Sequence, residues 1–159
     1  MRKNFIFSLQ KVLDLRRQQE DKAKEALALA RKRYQEQNQV VQEILEERVR
    51  ARQSMEEKQD ITQADIWLYN LYRDRLNLDL VKAEEKLGRL SRDINQKRQE
   101  LVEKSKQKKV LERLKHNRKV KFDHEQQQEE QKEFDEMAVL RYQPEALQAV
   151  ADDHGIGGD

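Results

Sequence analysis

The chain of 159 residues has no cysteine, one proline and four glycines, and only 6% of its residues are aromatic. Without cysteine there is no disulfide framework, no thiolate metal site and no Cys nucleophile. A reducing or redox-indifferent compartment follows. With so little Pro and Gly, the usual punctuation between short elements is missing. Hydrophobic residues reach 36%, below the globular norm, which speaks against a large multilayered core. No apolar run approaches the ~20 residues a bilayer span requires. The opening Met1–Leu9 is too short in apolar residues for a signal peptide, and Gln10 and Lys11 interrupt it. A cytosolic protein of one domain is expected. Charge of one sign is also missing, since 33 Lys+Arg face 31 Asp+Glu for a net +2. Simple polyanion binding requires a stronger bias.

What is present is a helical composition. Charged residues make up 40%, and Ala, Leu, Glu, Lys, Gln and Arg dominate. A three-four rhythm runs through Phe5, Leu9, Val12, Arg16, Gln19, Ala23, Ala26, Ala30, Arg33, Gln37, Val40, Ile44, Glu47 and Ala51, the spacing of a heptad seam. Leu13, Leu27, Tyr34, Val41 and Met55 fall one position later and widen the stripe. A second seam passes through Ile66, Tyr69, Arg73, Leu76, Leu80, Ala83, Leu87, Leu90, Ile94, Lys97, Leu101, Lys104, Lys108, Leu111, Lys115, Arg118 and Phe122.

Between the seams, Gln59–Asp65 is the one break before the C-terminus. Thr62 with Asp65 reads as a capping box, and Asp60 with Gln63 offers a second. A short connection between amphipathic helices favours an antiparallel hairpin. The expected fold is all-α: a long antiparallel two-helix coiled coil over residues 1–141. Helix 1 covers about 5–58 and helix 2 about 63–141, where Tyr142-Gln143-Pro144 stops it. Phe5 should lie opposite Lys115. Residues 117–141 would then overhang, ~36 Å of helix without its partner, with Phe122, Phe134, Met137 and Leu140 in need of a cover. Residues 142–159 are expected to form a flexible, disordered tail.

Charge is segregated along helix 2. Lys97–Lys121 holds eleven Lys/Arg and three acids, and Asp123–Glu136 holds seven acids and one lysine. A solvated face with i,i+4 pairs is the plainer reading; the sharper one is a plug for a partner of alternating sign. The basic stretch has no interleaved aromatics, and the acidic block would repel a phosphate backbone, so nucleic acid is not an expected partner. His116 and His124 are ~80° apart around a helix, and no metal motif or phosphate-binding loop exists. Neither enzyme, cofactor nor small-molecule substrate is expected. The cluster Trp67, Leu68, Tyr69, Leu71 and Tyr72 exceeds what a two-helix tip can bury, because adjacent positions point in different directions. Tip packing and a docking site share these residues.

Three stretches together resemble a known family. The opening Phe5-Ile6-Phe7-Ser8-Leu9-Gln10-Lys11-Val12-Leu13-Asp14-Leu15-Arg16 resembles the start of the flagellar export protein FliJ family. The Ile61-Thr62 turn with Trp67, Tyr69, Tyr72 and Leu76 looks like its helix junction. Leu111-Glu112-Arg113-Leu114-Lys115 with Glu130-Gln131-Lys132-Glu133-Phe134-Asp135-Glu136-Met137-Ala138 is similar to its closing signature.

The resemblance implies a non-catalytic antiparallel coiled coil, cytoplasmic and peripheral to the membrane at the flagellar base. It would link the hexameric export ATPase to the cytoplasmic domain of the membrane export gate, with an escort role in flagellum assembly. Other export chaperones are further candidate partners. It implies gate contacts at Trp67, Tyr69, Tyr72 and Leu76. ATPase-ring contacts would fall at Leu9, Leu13, Arg16, Leu114 and Arg118, with Phe122, Phe134 and Met137 on the overhang. The rivals are the equivalent stalk of a virulence-type secretion system and a generic coiled-coil spacer or nucleic-acid-associated protein.

Overall fold

Two uninterrupted amphipathic sequences become two long helices. In the structure, a computed structural model that describes residues 4–142, α1 spans Gln10–Glu57 (48 residues) and α2 spans Gln63–Arg141 (79 residues). They form an all-α hairpin, and the contacts run antiparallel: Tyr72 meets Glu47, Gln37 meets Ala83 and Arg16 meets Gln107. α2 ends one residue before Tyr142, as the pre-proline restriction predicts. The expected flexible tail lies, from residue 143 to 159, outside the described residues. The chain divides into two units: Leu9–Leu111, and residues 4–8 with residues 112–142.

In the first unit the seam of α1 is built from Leu9, Leu13, Arg16, Glu20, Ala23, Leu27, Ala30, Tyr34, Gln37, Val41 and Ile44, all buried or half-buried. Half of the expected seam is therefore corrected. The line through Leu9, Arg16, Ala23, Ala30, Gln37 and Ile44 faces inward as read. The alternate line is 13, 20, 27, 34, 41 rather than 12, 19, 26, 33, 40. Val12 and Val40 are exposed, while Leu13 and Val41 are buried. Both frames satisfy a three-four rhythm. The one that wins buries Leu13 and Leu27 and leaves Gln19 and Ala26 half-buried at its margin, removing more apolar area from water. It does so at the cost of placing Glu20 inside. On α2 the expected seam is the observed one from Leu76 to Leu111.

The turn is held by the capping box read from the sequence. The Thr62 N–H and Oγ1 both donate to Asp65 Oδ2, at 2.9 and 2.7 Å, and the Asp65 N–H donates back to Thr62 Oγ1 at 3.2 Å. Two orphan donors of a helix start are thereby satisfied. Lys58, the extended residue that ends α1, places Nζ 2.7 Å from Asp65 Oδ1. That ammonium is the main cause holding the Asp65 carboxyl well below the usual carboxylate range, with the Thr62 bonds next.

In the second unit residues 4–8 are not helical. α1 begins at Gln10 rather than near Phe5. Asn4–Phe7 lack regular structure, and exposure alternates along them: Phe5 half-buried, Ile6 exposed, Phe7 buried. Period two is the signature of an extended segment laying one face on a neighbour. The Phe5 ring lies 5.7 Å from Phe122 at 53°, and the Arg118 guanidinium sits 5.8 Å above the Phe7 ring. Arg118 also donates to Ser8 Oγ at 3.1 Å. An extended residue advances about 3.3 Å against 1.5 Å in a helix. Phe5 consequently reaches Phe122 instead of Lys115, and Phe122 is covered from within the chain.

Candidate functional site

The first candidate surface is the start of α2. Trp67, Leu68, Leu71 and Tyr72 are exposed there, and Tyr69 is half-buried. On one side of the helix pair, Met55, Leu68, Tyr69 and Tyr72 line an open groove of about 430 Å³, bounded by the Lys58–Asp65 ion pair. Tyr72 donates its hydroxyl to Glu47 Oε2 at 3.2 Å. Desolvation first, and the Glu47 carboxylate second, push its phenol up. On the other side, Arg48, Arg52 and Arg73 border a smaller groove of about 260 Å³ against Val49 and Tyr69.

The second is a polar layer inside the seam. Glu20, 5% exposed, accepts from Lys108 Nζ at 2.7 Å and lies 3.4 Å from Lys24. Lys108 is the main cause that lowers its pKa to about 2, against an opposing contribution from burial and with help from Ser105 and Lys24. One turn away, Arg16 donates to Gln107 at 2.8 Å and to Gln19 at 3.0 Å. Gln37 donates to the Ala83 carbonyl at 3.1 Å. Among the described residues no buried side-chain donor or acceptor lacks a partner, which is what makes polar groups tolerable in so thin a core.

The third is the end of α2, where Phe134 within the acidic stretch Asp123–Glu136, and Met137, Val139 and Leu140 just beyond it, are exposed.

These positions sort the residues expected from sequence. Trp67, Tyr72, Phe134 and Met137 are exposed, Tyr72 with its hydroxyl on Glu47. Tyr69, Leu9 and Leu114 are half-buried. Arg118 is exposed but held on Phe7 and Ser8, and Arg16 is held by Gln107. Three assignments change. Leu13 is 0% exposed and Leu76 is buried, both inside the seam, and Phe122 stacks on Phe5. In the closed hairpin Leu13 and Leu76 pack the fold and present almost no surface, and Phe122 keeps one part exposed beside Phe5. Sequence reasoning missed Leu78 and Val81, which are exposed in line with Trp67 and Leu71. Their heptad spacing from Trp67, opposite the seam, was the available signal.

Among the described residues no group of three or more His, Asp or Glu could hold a metal ion, and no helix is long and apolar enough to cross a membrane. The fold is a helical hairpin with polar side chains paired inside its seam and apolar side chains exposed near the turn and along the end of one helix. The family model described as Flagellar FliJ protein matches residues 5–146. The chain belongs to that family and is accordingly a non-enzymatic protein of the flagellar export apparatus. Comparison with curated proteins and with solved structures gives no match.

Proposed function

We propose that this chain is the stalk that joins the hexameric flagellar export ATPase to the cytoplasmic domain of the export gate. It acts in the cytoplasm, peripheral to the membrane at the flagellar base, and escorts export components during assembly. The observation that carries the reading is the family match over residues 5–146, together with apolar side chains exposed at two sites. Phe134 and Met137, on the acidic end of α2, are the ring-facing pair. Leu9, Leu114 and Arg118 are further candidates for ring contact that the family membership suggests. Trp67 and Tyr72, with Tyr69 beside Tyr72, are gate-facing. Exposed apolar clusters rimmed by charge are where partner surfaces dock.

Full-length protein carrying Phe134→Asp and Met137→Asp tests the assignment. Its expected behaviour is loss of co-purification with the ATPase hexamer, with retained binding to the gate domain and unchanged helicity. Retained ATPase binding would remove the end of α2 from the ring. The family match favours the flagellar apparatus over a virulence-type system, and binding to the flagellar rather than the virulence ATPase separates the two.

A further inference from the structure

The first part of α2 is apolar on two opposite faces. Leu76, Leu80 and Ala83 line the seam. Trp67, Leu71, Leu78 and Val81 are 66%, 55%, 55% and 51% exposed. At 100° per residue these four fall within about 80° of one another, roughly 180° from the seam. α1 cannot cover them, because it already occupies the other face. The steps of four, seven and three are a second heptad rhythm, which a straight helix crossing at a small angle can bury along its whole length and a strand or loop cannot.

Charge says which helix. Arg75 and Lys82 are exposed and lie seven residues apart along one edge of this stripe. Neither has a hydrogen bond or ion pair among the described residues. Seven residues is the repeat at which flanking charges of two packed helices meet. The opposite edge carries the neutral Asn70 and Asn77. Asp74, in the line itself, is already engaged by Arg73 at 3.1 Å. An anionic membrane is the poorer fit, since Asp74 and Glu85 both stand in the apolar line.

We propose that the outer face of α2 over Trp67–Val81 is a docking site for an amphipathic helix of a partner protein with acidic residues along one edge. Its apolar side chains pack on Trp67, Leu71, Leu78 and Val81, and its carboxylates pair with Arg75 and Lys82. The proposal rests on the reading of this end as gate-facing, and names the element the partner contributes.

Trp67 is the single tryptophan, so its emission reports on the site directly. The probes are a helical peptide of about three heptads with Leu on one face and Glu on its edge, and a twin with Lys in place of Glu. Full-length protein should bind the Glu peptide with a blue shift of Trp67 emission, and the Lys twin about tenfold or more weakly. Arg75→Glu with Lys82→Glu should reverse that preference. Leu71→Asp with Leu78→Asp should bind neither, with helicity and thermal midpoint kept, because both residues point away from the seam. No shift with the Glu peptide, or equal binding of the twins, overturns the proposal. So does an equal shift on anionic phospholipid vesicles, or a self-association that Leu71→Asp/Leu78→Asp abolishes. Gate-domain binding that survives Leu71→Asp/Leu78→Asp refutes this site and leaves the gate reading intact. Peptide binding with no gate-domain binding by the unaltered chain upholds the site and removes the gate as its occupant.

Discussion

Glu20 Oε2 lies 2.7 Å from Lys108 Nζ inside the seam, 88 residues apart in sequence and each at a position that a simple zipper would give to leucine. A buried ion pair contributes little net stability compared with a well-packed apolar pair, but removing one partner strands the other. Glu20→Leu and Lys108→Leu should each lower stability by about 1–2 kcal/mol, below the 3–5 of fully buried pairs because Lys108 keeps part of its hydration. The double variant should recover most of the loss. Urea unfolding monitored by circular dichroism measures all three, and additive losses would mean that the pair is not coupled.

The same pair sets an acid limit. The Glu20 carboxyl is lowered from its ordinary 4.5 to about 2, so its contribution is complete above pH 4.5. As pH falls from 4.5 to about 2, the unfolded chain takes up the proton before the folded one, and the contribution is lost progressively. The stability difference between unaltered protein and Glu20→Gln should therefore be flat above that window and shrink through it. A difference that stayed constant down to pH 2 would contradict the geometry.

The seam frame can be read from neighbouring valines. Val41 is buried and Val40 is exposed. Val41→Ala should cost about 1–2 kcal/mol, and Val40→Ala no more than about 0.5. Leu13→Ala, at the most completely buried side chain, should cost about 2–4 kcal/mol. Equal effects at 40 and 41 would restore the alternative frame.

At the turn, Thr62→Ala should cost about 1 kcal/mol by removing the cap. Asp65→Ala should cost a similar amount. The double variant should cost little more than either single one, because the two side chains satisfy each other's backbone donors. Thermal unfolding of the three variants checks this.

Gly88 lies within α2, and a Cβ there would meet nothing within 4 Å. Gly88→Ala should stabilise the protein by about 0.5–1 kcal/mol through helix propensity alone. A raised unfolding midpoint is the expected outcome, and a lowered one would show that something packs at that position.

Much of this molecule was written in its residue order. The absence of Pro and Gly over long stretches allowed only long helices. The second seam from Leu76 to Leu111, the Thr62–Asp65 cap and the stop before Pro144 each rest on neighbours in sequence, and each was legible. The excess of aromatics after residue 66 also showed, by simple geometry, that some had to stay exposed. What the chain alone left undecided involves partners distant in sequence. Two seam frames one residue apart share the same period, and only the packing of α1 on α2 selected Leu13 and Val41 over Val12 and Val40. Phe5 and Phe7 fit a helix or an extended strip equally well. The rings and cation they meet, Phe122 and Arg118, decided for the strip. Local periodicity specifies which faces are apolar, whereas burial depends on which face finds another. That pairing is a property of the folded chain, and it sent Leu13 and Leu76 inside and half-buried Phe122 while leaving Trp67, Leu71, Phe134 and Met137 exposed.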